Sequence, residues 1–208
     1  MKKRTRQNKV SSNPLSPKQK EVRAAYHEAG HAVLCCLLRQ PFSVASIERE
    51  GKTLGRVTID IIGYETKGDF VKDTDGVFTI RKRGGLTERR VEKLTLVFSA
   101  GPVAEALFQG VHLATEHGWA YDRDDATAFA LELFENRVAA EEYVDAVSER
   151  TQTIIAHPAV FSAVDAVAGE LLNEKKLSSR TIRKIIKEEI GTDFSFKHLL
   201  EHKKIKPQ

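Results

Sequence analysis

The chain has 208 residues, 41% apolar and 30% charged, with 33 Lys and Arg against 29 Asp and Glu. That is enough for one sizeable domain with a real core, and it argues against global disorder. No membrane span is expected, because the longest apolar run, Ala32 to Leu38, falls far short of the roughly 18–20 residues a span needs.

Residues 1–15 read as a disordered tail, basic and free of aromatics. They contain no apolar stretch of the kind a secretory signal carries. Ser16-Pro17-Lys18-Gln19 is a helix start: a capping serine, a proline at the first helical position and a glutamine completing a capping box. A helix is expected from Pro17 to Leu38, stopped by Gln40-Pro41. Residues 43–62 then alternate apolar and polar, which predicts two strands turning at Gly51-Lys52. Phe70-Val71 and Val77 to Ile80 read as further strands around the turn Asp73-Thr74-Asp75-Gly76, with Gly84-Gly85 closing the region. Thr87 can cap the next helix, which carries Val91, Leu94, Val97 and Phe98 on one face. Gly101-Pro102 is expected to interrupt it, and a further helical stretch, Val103 to Phe108, ends at Gly110. Four more helices follow by the same signals: Asp122 to Phe134, Val138 to Ile155, Ala159 to Glu174, and one capped by Ser178 or Ser179 that ends before Gly191. The expected fold is α+β, mostly α, with a small sheet packed beside the first helix. One domain is expected over 16–192, with basic tails at 1–15 and 193–208.

The net charge of +4 is unevenly spread. Residues 1–20 hold seven basic residues and no acid, and residues 175–208 hold ten basic and four acidic. The body between them, 21–174, holds 16 basic and 25 acidic. An acidic body with basic ends is not the stripe of a nucleic-acid-binding domain, so such a partner is not expected. Cys35 and Cys36 are adjacent. Neighbours on a helix cannot bridge without distortion, so no disulfide framework is expected and a reducing cytoplasm is the default.

The chemistry-bearing motif lies in the first helix: His27-Glu28-Ala29-Gly30-His31. Histidines at i and i+4 project from one helical face and can hold one Zn²⁺. Glu28 then stands where it can take a proton from an attacking water. The bland alternative is a helical surface that happens to carry two histidines. Ala29, Ala32 and Val33 instead suit a buried helix, and Gly30 costs about 1 kcal/mol against alanine unless tight packing offsets it. A catalytic zinc needs a third protein ligand. Position 37 is Leu37, which excludes the metzincin pattern with its third histidine. Glu48 and Glu50 are placed in a strand-like region, and the segment 116–127 offers His117, Asp122, Asp124 and Asp125. For Asp124 and Asp125, helix capping and dipole complementarity are the preferred roles. The residues alone leave the third ligand open.

Four blocks resemble, in order, the peptidase half of the FtsH-type AAA+ zinc proteases. Ala25-Tyr26-His27-Glu28-Ala29-Gly30-His31-Ala32 is similar to the family's metal helix, and Leu54-Gly55-Arg56-Val57 to the strand after it. Ala100-Gly101-Pro102-Val103-Ala104-Glu105-Ala106-Leu107-Phe108-Gln109-Gly110 resembles its GGRxAEExxFG helix. Tyr121-Asp122 with Ala126-Thr127 resembles its NDxxxAT segment, whose aspartate is the third zinc ligand. The resemblance therefore implies one Zn²⁺ per chain on His27, His31 and Asp122, with Glu28 as general base. It implies that Glu105 hydrogen-bonds a ligand histidine or forms a structural ion pair. The chain departs from the family in three ways: it has no GxxxxGK[ST] loop, no membrane anchor, and Tyr121 where the family has asparagine. ATP-driven threading does not carry over, and the family's hexamer leaves only an open question about a homo-oligomer. His117 and Tyr121 are candidates to stabilise an oxyanion, while Cys35 reads as a small core residue. The expected function is an ATP-independent zinc metalloendopeptidase acting on peptides or unfolded protein. A catalytically silent binding or regulatory module on the same fold is the alternative.

Overall fold

The computed structural model describes residues 15–50, 53–59, 70–72, 78–80, 88–111 and 119–191. The first element, α1 (Pro17–Leu37), begins as its sequence requires. Gln19 donates its backbone N–H to the Ser16 hydroxyl at 3.2 Å, and Ser16 donates its own to the Gln19 side chain at 2.8 Å. Its stop is a left-handed turn at Arg39, φ 53°, which lets Gln40 N–H reach back to the Cys35 carbonyl at 2.7 Å. The hairpin follows as β1 (Phe42–Glu50) and β2 (Thr53–Ile59), paired antiparallel. β3 (Phe70–Lys72) and β4 (Phe78–Ile80) form a separate two-stranded ladder. The turns expected at Gly51-Lys52, 73–76 and Gly84-Gly85, the Thr87 cap and both tails lie outside the described residues.

α2 (Glu88–Gln109) corrects the expected break at Gly101-Pro102, because the helix runs straight through with Pro102 inside it. Besides its clash with the carbonyl four residues back, proline disfavours a helical residue before it partly through that residue's Cβ. Here that residue is Gly101, which has none. Residues on both sides of the pair are buried, so packing holds the helix together across the lost hydrogen bond. Gly110, φ 64°, ends it, with Val111 N–H bonded to the Ala106 carbonyl at 3.0 Å.

α3 (Trp119–Ala130) starts and ends earlier than the expected Asp122 to Phe134. Asp122 therefore lies in its first turn, and Asp124 and Asp125 are too far in to cap it. α4 (Arg137–Ile155) is capped by Asn136, and α5 (Pro158–Glu174) has proline at its start. A short strand, β5 (Lys176–Ser178), comes before α6 (Ser179–Ile190) and was not expected. Three residues are too few to show a period. Leu177 is buried, and the strand pairs antiparallel with β1, giving the order β2-β1-β5.

The architecture is α+β and mostly helical, as expected, with the small sheet packed on α1. That helix also lies against α2 and α5, while α3 and α4 cover α2. Ala25, Ala29, Ala32, Val33, Leu34 and Cys35 of α1 are fully buried. Among the described residues no single helix is long and apolar enough to cross a membrane. α4 and α5 meet that length and composition only together, and they are bent 85° apart.

Candidate metal centre

Three side chains from two helices converge. His27 and His31 of α1 and Asp122 of α3 each offer a ligand atom, and the three atoms lie within 4.8 Å of one another. His27 Nε2 is 3.1 Å from His31 Nε2 and 3.1 Å from Asp122 Oδ2, and His31 Nε2 is 3.3 Å from Asp122 Oδ1. Two ligands on one tetrahedral zinc, each about 2.05 Å from it, stand about 3.3 Å apart. The two imidazole nitrogens stand near that value, and each has one of the two Asp122 oxygens at a similar distance.

The opposite nitrogens decide what these atoms can do. His31 Nδ1 donates to the Val97 carbonyl at 2.8 Å, and His27 Nδ1 donates to Glu105 Oε2 at 3.0 Å. A carbonyl can only accept, so His31 carries its proton on Nδ1. Its Nε2 then presents a lone pair. With His27 held in the same way, loss of its Nε2 proton leaves two lone pairs and a carboxylate facing one small volume. A divalent cation satisfies all three at once. The donor set of two imidazoles and one carboxylate suits zinc.

Two close approaches shape the pocket wall. A Cβ on Gly101 of α2 would lie 2.2 Å from His31 Nε2. A Cβ on Gly55 of β2, φ 100°, would lie 2.5 Å from Glu28 Oε1. Only glycine admits these contacts, and at Gly55 only glycine adopts the backbone without strain. The tight packing expected at Gly30 is also present: a Cβ there would meet the Ala100 carbonyl oxygen at 2.4 Å and Ala104 Cβ at 2.7 Å.

Glu28 is buried, at 5% exposure, and burial pushes its carboxyl up to about 7. Burial by itself would lower His27, but the Asp122 and Glu105 carboxylates outweigh it and hold the ring well above the ordinary histidine range. Burial would likewise raise Asp122 and Glu105. Asp122 is instead held low by His31 and His27, and Glu105 by His27 and Arg23.

The structure thus brings together His27, Glu28, His31, Glu105 and Asp122. Tyr121 is not enclosed with them, since it is 80% exposed on the first turn of α3. His117 lies outside the described residues. Glu48 is exposed on β1 and accepts from the Ser46 hydroxyl at 3.3 Å, while Glu50's side chain lies outside the described set. Asp124 accepts from Arg137 at 2.8 Å, a surface ion pair rather than a cap. Cys35 is buried, and burial pushes its thiol up. The sequence gives no site role to three residues found there: Arg23, and Gly55 and Gly101, which it offers only as parts of the resembling blocks. An isolated glycine in a strand pattern signals a close backbone approach, and Arg23 stands one helical turn before His27, so both signals were present.

No family model matches this chain, and no curated protein matches it.

Proposed function

We propose that this chain is a zinc metallopeptidase that hydrolyses peptide bonds in peptides or unfolded segments without ATP. One observation carries the reading: three ligand atoms converge within 4.8 Å of one another, and the far nitrogens of both histidines are already committed as donors. The resemblance of the sequence blocks to FtsH-type peptidases supports it.

A zinc ion held by His27, His31 and Asp122 would supply Lewis acidity, polarising a carbonyl and bringing a water's pKa to about 7. The two imidazoles bind as neutral donors, and Asp122 adds the one formal charge. Glu28 moves the proton. As a carboxylate it accepts from an attacking water and returns the proton to the leaving amine nitrogen. Gly55 keeps the Glu28 carboxylate against β2. Among the described residues, β2 is an edge of the three-stranded sheet. An extended substrate backbone can add to such an edge beside the general base.

The test joins metal content to cleavage. Purified wild type should carry one zinc per chain by elemental analysis and cleave an unfolded protein such as reduced casein. Asp122→Ala should lose the metal or hold it loosely. Glu28→Gln should keep the metal and lose cleavage. Equal cleavage by wild type and Glu28→Gln would sink the enzymatic reading.

A further inference from the structure

α1 and α2 meet along two stripes with the same four-residue spacing. Arg23, His27 and His31 share one face of α1, and Val97, Gly101, Glu105 and Gln109 share one face of α2. The stripes run antiparallel. His31 meets Val97 and Gly101, His27 meets Glu105, and Arg23 meets Glu105 from the next turn. Glu105 is thus held from both sides. Its Oε2 accepts from His27 Nδ1 at 3.0 Å, and its Oε1 accepts from Arg23 Nε. Gln109 Nε2 adds a longer bond to Oε1 at 3.4 Å.

We propose that Arg23 is a positioning residue for the metal centre: by pinning Oε1 of Glu105, it fixes Oε2 on His27 Nδ1 and so aims His27 Nε2 at the site. This inference rests on reading His27, His31 and Asp122 as metal ligands. Glu105 reaches the seam on three rotatable bonds, and one hydrogen bond to His27 leaves the plane of its carboxylate free to turn. A second bond on the other oxygen removes that freedom. Arginine suits the task better than lysine, because its Nε–H lies in a rigid plane fixed by the side chain, whereas an ammonium is a rotating point charge. Partners that orient a ligand histidine in this way typically change metal affinity by about 10- to 100-fold when removed. Arg23 reaches the metal centre through Glu105, whose Oε1 it holds.

A double-mutant cycle on the full chain tests this, with Zn²⁺ affinity read by competition with a chromophoric chelator. Arg23→Gln should weaken Zn²⁺ binding about 10-fold or more, and Glu105→Gln should weaken it at least as much. The double variant should be no weaker than Glu105→Gln alone. The visible spectrum of the Co²⁺-loaded protein should shift in Arg23→Gln, a signature that loss of helix packing alone does not produce. Arg23→Lys keeps the charge and stem and should fold where Gln does not, with an affinity still below wild type. The proposal is overturned if Arg23→Gln or Arg23→Lys binds Zn²⁺ as wild type does. It is also overturned if Arg23→Gln costs as much in the Glu105→Gln background as in wild type. If wild type itself binds neither Zn²⁺ nor Co²⁺, the metal reading falls and this inference falls with it. If wild type binds and the Arg23 variants are silent, only this inference falls.

Discussion

Gly101→Ala sets two forces against each other at one atom. Intrinsic helix propensity favours alanine over glycine in a helix interior by about 1 kcal/mol, although a Cβ just before Pro102 works against that gain. The added carbon, however, would lie 2.2 Å from His31 Nε2 and 2.6 Å from its Cδ2. Carbon and nitrogen in contact need about 3.4 Å, so the ring must retreat by about 1.2 Å. It cannot do so freely, because its other nitrogen is tied to the Val97 carbonyl at 2.8 Å. Metal ligands tolerate only about 0.2 Å of displacement. The retreat is several times that, so His31 should leave the proposed ligand set. Zn²⁺ affinity should then fall by about 100-fold or more, the upper end of what disturbing a ligand's support costs. Competition titration against a chromophoric chelator measures it, with a thermal melt to establish that the variant is folded. A folded Gly101→Ala protein that binds Zn²⁺ within about threefold of wild type would refute the reasoning.

Glycine to alanine changes elsewhere supply the controls. Gly169 lies exposed on α5 with nothing within 4 Å of a built Cβ, so Gly169→Ala should stabilise by about 0.5–1 kcal/mol and raise the melting temperature. Gly30→Ala drives its methyl into Ala100 and Ala104 across the α1–α2 contact and should destabilise by about 1–3 kcal/mol in a denaturant titration. Alkaline pH should destabilise the fold. Burial pushes Cys36 up from 9.0 to about 11, and it raises Cys35 and Tyr143 too. Between these limits the native state holds a proton that the unfolded chain has released, so this contribution is complete below pH 9 and is lost as pH rises through the folded value. For Cys36 alone the loss at pH 10 is about 1 kcal/mol. Urea melts from pH 7 to 10.5 should show the decline, and Cys36→Ser should make it shallower. An identical slope in that variant would exclude Cys36 as a source.

The site was legible in the sequence wherever its geometry is local. His27 and His31 lie one helical turn apart, so a five-residue pattern carries their relationship. The α1 start was equally readable, because Ser16, Pro17 and Gln19 satisfy one another within four residues. Asp122 is different. It arrives from α3, and no spacing along the chain reveals that α3 packs on α2. Only the resemblance of one segment to a known peptidase placed it in advance. α2 runs unbroken although Pro102 is a helix breaker in isolation, because part of the steric penalty falls on the preceding Cβ, and Gly101 has none. Gly101 therefore serves twice, letting the helix pass through a proline and letting His31 Nε2 approach the backbone. β5 was invisible for another reason. It is held by pairing to β1, a tertiary interaction, and not by any preference in Lys176-Leu177-Ser178.

Charge balance gives an argument for a cation that is independent of the spacing of the ligands. With neutral imidazoles, and among the described residues, the seam holds the Arg23 guanidinium against three carboxylates, Glu28, Glu105 and Asp122, a shortfall of two positive charges. Buried sites do not sustain such an imbalance; they take up protons or bind cations. The groups free to respond do so in that direction: His27 is held well above its ordinary range and Glu28 rises to about 7. Glu105 and Asp122, the carboxylates already engaged with donors, are held low. A divalent ion supplies the missing charge in one step and displaces the protons that stood in for it. Adding Zn²⁺ to metal-free protein at pH 7 in weak buffer should therefore release about one to two protons per ion bound. An indicator dye or calorimetry in buffers of different ionisation enthalpy counts them. Binding without proton release would mean that the ion sits elsewhere, because His27 cannot keep that proton and ligate through Nε2 while its Nδ1 remains bonded to Glu105.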